Sequence, residues 1–199
     1  MSERAAKFKA QQYVEWLWKR VDGKAIPATT RARASAACLQ LTMEHHQSIV
    51  TLIGQGLYGS AFALVRPSYE SYVRAEWLFH CAKDDELQKF VGGRGSPKLD
   101  RMLAALEKVS GFDERVLTMV KRNHWKTMSE YAHSGALQVQ RRQTDSAVES
   151  NYSKEEIKEI TDVAEIFGSV AAIALLGMAD DVGSAEEIFD TFKARAHDA

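Results

Sequence analysis

Between Pro27 and Gly54 the apolar and small side chains return at alternating steps of four and three: Ala34, Cys38, Leu41, His45, Ser48 and Leu52, with Leu39, Met43, His46, Val50 and Ile53 beside them. That period belongs to an α-helix with one broad buried stripe, and the stripe carries both His45 and His46. Thr29 or Thr30 supplies the amino-terminal cap. Gly54-Gln55-Gly56 interrupts the pattern only briefly before a further helix, Leu57 to about Lys83. Two helices joined by so short a break run antiparallel. Residues whose numbers sum to about 110 should then lie level, which sets His45 beside Arg66 and Gln40 near Glu70. Cys38 and Cys81 fall several turns apart, which removes an intrachain disulfide.

The same reading extends over the chain. Ala5 to Val21 is a helix stopped by Asp22-Gly23, and Asp84 to Val91 is a short one followed by the turn Gly92-Gly93-Arg94-Gly95. Ser96-Pro97 opens another that runs to about Val109. Gly111-Phe112-Asp113 opens the next, with Leu117, Val120, His124, Met128 and Tyr131 on its apolar face and Ser134-Gly135 at its end. Residues 136 to 150 read as a polar loop. Ser153-Lys154-Glu155-Glu156 is a capping box for a helix that continues to Gly183, and Ser184-Ala185-Glu186-Glu187 is a second box for a terminal helix ending near Ala196. Alternating strand patterns are missing, so the expected fold is all-α: one antiparallel helical bundle over 1–199 with short accessory helices.

Composition bounds the function. A chain of 199 residues, 45% hydrophobic and 27% charged, is an ordinary globular domain that buries about 70% of its unfolded surface. With 26 basic and 27 acidic side chains its formal net charge is −1, so nucleic acid or an anionic surface would have to be met by a local patch. The start, Met1-Ser2-Glu3-Arg4, lacks an apolar leader, which points to the cytoplasm. The most apolar run, Ile166 to Ala179, is shorter than the roughly 20 residues of a spanning helix. It reads as a core helix, with no membrane expected.

Arg66, Glu70 and Arg74 stand at i, i+4 spacing in LVRPSYESYVRAEWLFH, where neighbouring pairs can form ion pairs. They are either a solvated ladder or, given Val65, Tyr69, Val73 and Trp77 around them, a partly buried polar layer that fixes register or binds a ligand. Pro67 should kink or break the helix close to Arg66. A second candidate stretch runs from Arg122-Asn123-His124-Trp125 to His133-Ser134-Gly135. His133 in the last turn is either a charge favoured by the helix dipole or an acid–base group, with Arg122, Arg141 or Arg142 holding an anion. Glu130-Tyr131-Ala132-His133 is a single Glu-x-x-His, whereas a di-iron bundle needs two with further glutamates. The Gly92–Gly95 turn lacks the Lys-Ser/Thr of a phosphate-binding loop. No metal and no cofactor is expected.

The segments RPSYESYVRAEWL and MSEYAHSG resemble a bacterial family of helical domains of unknown function, similar in general appearance to the HEPN domains of toxin and phage-defence systems. The likeness covers roughly 56 to 142. HEPN ribonucleases act as dimers without metal, cleave RNA through the 2′-hydroxyl, and carry an arginine followed by a polar residue and, about four to six residues on, a histidine. Arg122-Asn123 matches the first half of that pattern; Thr127, Met128 and Ser129 occupy the histidine window, and His133 lies beyond it. Arg74 to His80 has the spacing, with Ala75 at the polar position.

Two expectations follow. In the first, Arg66, Glu70 and Arg74, with His45 and His133, form a cleft for RNA or a nucleotide, His133 moves a proton and an arginine such as Arg122 stabilises phosphate. In the second, the chain is a non-catalytic module and a homo-oligomer, most simply a homodimer, whose charges set helix register. Gly168, Ala171, Ala172, Ala174 and Gly177 would then allow close helix approach.

Overall fold

The structure, a computed structural model, describes residues 3–197; residues 1–2, on which the export reading partly rests, lie outside them. The chain folds as α1 (Glu3–Val21), α2 (Thr30–Gly54), α3 (Tyr58–Ala63), α4 (Val65–His80), α5 (Asp84–Val91), α6 (Leu99–Leu106), α7 (Val116–Ala132), α8 (Ala136–Gln140), α9 (Lys154–Met178) and α10 (Val182–His197). No strand occurs among the described residues, and the fold is an all-α bundle.

The antiparallel register of α2 and α4 is visible in two hydrogen bonds. Ser35 Oγ donates to the Ala75 carbonyl at 2.9 Å and Arg31 Nη1 donates to the Leu78 carbonyl at 2.7 Å, pairs whose numbers sum close to the expected value. Thr29 caps α2 by accepting from the Ala32 amide. At the turn beyond it Gly56 has φ 74°, a left-handed conformation that glycine adopts without a Cβ penalty.

The helix expected from Leu57 to Lys83 is instead two, α3 and α4, separated at Leu64. Pro67 explains the break: it has no amide to give the Ala63 carbonyl and its ring crowds that oxygen, so it fits only in a first turn. In α4 it is the third residue.

Elsewhere the helices begin later or earlier than the sequence markers suggest. Lys98, not Ser96, precedes α6, and α7 starts after Arg115, which is left-handed at φ 58°. Asp113 serves the preceding turn, its carboxylate accepting from the Gly111 amide. Residues 136–140 form α8 rather than loop. The Ser153 to Glu156 capping box is present with both bonds. The last helix starts at Val182, and its cap is Asp181, which accepts from both the amide and the hydroxyl of Ser184. Lys24 and these Ser184 bonds hold the Asp181 carboxyl down at about 2.

Helix α9 occupies the centre. By length and composition it is apolar enough to cross a membrane, and 56% of its most apolar window is buried inside the bundle. Tyr69 and Tyr72 of α4 pack on Phe167 at ring separations of 5.8 and 5.9 Å, and Ser169 meets the Tyr13 hydroxyl of α1 at 2.8 Å. Arg195 of α10 closes on Glu165 through two hydrogen bonds. Gly168 lies where a Cβ would collide with the buried imidazole of His46, so the missing side chain lets α2 and α9 approach.

Only part of the apolar stripe expected on α2 is interior. Leu39, Met43, His46, Ile49, Val50 and Ile53 are buried, whereas Leu41 is 41% exposed and Ala34, Cys38 and His45 are half-buried. Cys38 and Cys81 are both free thiols.

Candidate anion site between α4 and α7

Helix α7 lies against α4 with the Tyr69 hydroxyl donating to the Leu117 carbonyl at 2.9 Å. This packing brings Trp125, Ser129 and His133, which recur at steps of four along one face of α7, over the amino-terminal turn of α4. Arg66 is the hub. Its Nε donates to Glu70 Oε1 at 2.7 Å, its Nη1 donates to Ser129 Oγ at 3.2 Å, and the same Nη1 stands 2.8 Å from His133 Nε2. The guanidinium carbon lies 4.1 Å from the centroid of the Trp125 ring, a stacked cation–π geometry.

Arginine has only donors. His133 Nε2 is therefore the acceptor, and the imidazole in this arrangement is neutral with its hydrogen on Nδ1. Arg66 and Glu70 are 21% and 27% exposed at the side chain, a depth at which ion pairing is screened less than at the surface. Arg66 Nη2 makes no hydrogen bond among the described residues and is not sealed from water. It is the open donor of the cluster.

The carboxyl end of α7 holds His133 in place. His133 is the C-cap, with its amide donating to the Ser129 carbonyl. Ser134 follows at φ 54°, and the Gly135 amide donates to the Glu130 carbonyl at 2.7 Å, the six-to-one bond of a Schellman ending. Glu130 folds back over Gly135, where any Cβ would meet its carboxylate, and accepts from the Leu137 amide at 3.3 Å.

Of the residues singled out in the sequence, Arg66, Glu70 and His133 converge. The others stand elsewhere. Arg74 makes no ion pair with Glu70; its Nε is buried without a partner, and the side chain lies near Cys38. Burial raises the Cys38 thiol and Arg74 partly offsets this. His45 is half-buried, and burial pushes its imidazole down, with Glu44 acting against the shift; it is not among the partners of Arg66. Arg122 is exposed with no hydrogen bond or ion pair among the described residues. Arg141 is engaged structurally, donating to Glu156 of the α9 capping box and to the Tyr131 hydroxyl. Arg142 is exposed. His124, expected on the apolar face of α7, is exposed too.

Trp125 and Ser129 join the cluster without having been expected as partners of Arg66, although their steps of four to His133 are visible in the sequence. A further unexpected residue is Glu76, which is buried and pairs with His80 Nε2 at 3.3 Å, an i, i+4 relation. Tyr72 bonds to Glu76 and burial raises its hydroxyl far above the ordinary tyrosine value. Among the described residues no group of three or more His, Cys, Asp or Glu side chains is placed to hold a metal.

No curated protein and no solved structure matches the chain. Residues 39–196 do match a family profile, a span that takes in every member of the Arg66 cluster. The chain belongs to that family, a family of unknown function designated DUF6988.

Proposed function

We propose that this chain is a cytoplasmic, HEPN-like protein that binds RNA or a nucleotide through phosphate at the Arg66 cluster, and that with RNA bound His133 acts as a proton-transfer group. The supporting observation is the 2.8 Å approach of Arg66 Nη1 to His133 Nε2 with Nη2 left open. Glu70 and Trp125 fix the plane of the guanidinium, so its outer edge is aimed before any ligand arrives. Arg122, His124 and Lys126, all exposed, extend a basic stretch along α7, suited to neighbouring phosphates.

A phosphate oxygen taking the Nη1 and Nη2 hydrogens displaces His133 Nε2, which is thereby freed as a base. Nε2 accepts the proton of a 2′-hydroxyl, the 2′-oxygen bonds to phosphorus, and the bond from phosphorus to the 5′-oxygen breaks. The departing oxygen takes a proton from solvent, while the arginine hydrogens stabilise charge on the phosphoryl oxygens.

The second reading is a non-catalytic, homodimeric module whose polar layer sets register; it is favoured by Arg66 already having partners at Nε and Nη1. Labelled single-stranded RNA and a nucleoside monophosphate decide between them, tested against wild type, His133→Ala and Arg66→Ala. The proposal expects RNA bound and cut by wild type, bound but uncut by His133→Ala, and not bound by Arg66→Ala. If wild type neither retains these ligands nor shortens the RNA, the site is structural.

A further inference from the structure

The edge of α2 that the bundle leaves uncovered has a charge pattern complementary to itself, and we propose that it is the contact between two copies of this chain, with α2 packed antiparallel on the second copy's α2. The proposal uses none of the residues of the Arg66 cluster and stands or falls separately from the reading given for it.

The surface is a groove of about 550 Å³, in which Ala34, Ala37, Cys38 and Leu41 of α2 meet Phe90 and Val91 of α5. Leu41 is 41% exposed and Val91 53%, so the groove presents apolar area to water that no other described residue covers. The alanines keep the α2 backbone shallow there, which permits the close approach of a second helix.

The ends of the patch carry opposite charges. Arg33 and Glu44 are both exposed, and neither side chain makes a hydrogen bond or ion pair with another of the described residues. At 100° per residue Arg33, Ala37, Gln40 and Glu44 lie along one line of α2, and Leu41, Ala34 and Cys38 lie progressively to one side. Arg33 and Glu44 are about 16 Å apart along the helix axis.

Such a row is its own complement. A two-fold axis crossing α2 between Cys38 and Leu39 sets Arg33 opposite the second copy's Glu44 and Glu44 opposite the second copy's Arg33. The same operation brings Ala37 level with the second copy's Gln40, with the second copy's Leu41 one residue, about 1.5 Å, further along the axis. An isologous contact requires this self-matching. Rim charges of this kind choose the partner and the direction of packing, while the apolar centre between them supplies burial.

Sedimentation at micromolar concentrations tests the pairing with three variants. Wild type should sediment at twice the chain mass of 22.2 kDa. Arg33→Glu and Glu44→Arg each place like charges together at both ends of the contact, and each should weaken the dimer about tenfold or more. Both positions are exposed, so circular dichroism should show unchanged helix content.

Mixing the two single variants in equal amounts makes every end pair opposite again. The mixture should regain the wild-type degree of association although each component alone is weakened, and the double variant should dimerise by itself. A monomeric wild type would overturn the proposal, as would a dimer indifferent to either substitution. Single variants that dissociate but fail to re-associate on mixing would overturn the antiparallel pairing.

Discussion

Arg66 Nη1 lies 2.8 Å from His133 Nε2, joining the first turn of α4 to the last residue of α7. Because the guanidinium can only donate, this contact selects the imidazole tautomer with hydrogen on Nδ1. Nitrogen NMR of the labelled histidine rings should show His133 Nε2 as the unprotonated nitrogen at neutral pH, and Arg66→Ala should restore a mixture of tautomers. A wild-type His133 protonated at Nε2 would contradict the geometry. The same substitution removes a stacked cation and leaves Glu70 unpaired, so it should lower stability by about 1 to 3 kcal/mol in denaturant melts.

The Schellman ending that fixes His133 contains a conflict that substitution can resolve. Ser134 holds the left-handed conformation that glycine adopts more readily, whereas Gly135 is required for space rather than for its backbone angle. Ser134→Gly should therefore raise stability by roughly 1 kcal/mol. Gly135→Ala should lower it by driving Glu130 off the Leu137 amide. Thermal melts of the two variants that moved in the same direction would refute this division of roles.

Gly168 and His46 form a pair across the closest approach of α2 and α9. Gly168→Ala should cost about 1 to 3 kcal/mol, because the imidazole cannot retreat inside a packed core. His46→Ala removes the obstacle. In a double-mutant cycle the two substitutions should be less damaging together than their separate effects summed. Strict additivity would mean that the steric contact does not set the helix spacing.

Local periodicity made the helices legible, and tertiary choices hid the rest. The sum rule for α2 and α4 followed from a short turn and was met by Ser35 with Ala75. The ordinary reading of Ser184 as a cap missed Asp181, which does the work because Lys24 also draws it in. Arg74 looked like the third rung of a ladder, yet its side chain lies near Cys38, and Arg66, stacked on Trp125, is the arginine that pairs with Glu70. Leu41 and Cys38 share the helical period of the core, but period cannot say how many neighbours will cover a face; α9 and α4 cover one side of α2, and none of the described residues covers the edge beyond. Convergence of Arg66 with His133 depends on α7 crossing α4, which no pattern within either helix encodes.

Buried His46 should make stability sensitive to acid. Burial, with Arg195 adding to it, lowers its imidazole from 6.5 to about 3, and Tyr13 packs beside it at 6.4 Å between rings. The folded chain therefore refuses a proton that the unfolded chain accepts below about 6.5. Above that pH neither state is protonated and the group contributes no slope. Between about 6.5 and 3 the unfolded state binds one proton more, so stability declines as pH falls, and below about 3 the loss is complete. At pH 5 the decline from this residue alone should be about 2 kcal/mol relative to pH 7. Other groups titrate over the same interval, so the measurement is a comparison: unfolding free energies at both pH values for wild type and for His46→Gln, which keeps a polar side chain but cannot titrate. The variant should start less stable at pH 7 and lose less on acidification. Equal losses in the two proteins would show that His46 accepts its proton in the folded core, and the dry contact with Gly168 would then be open to water.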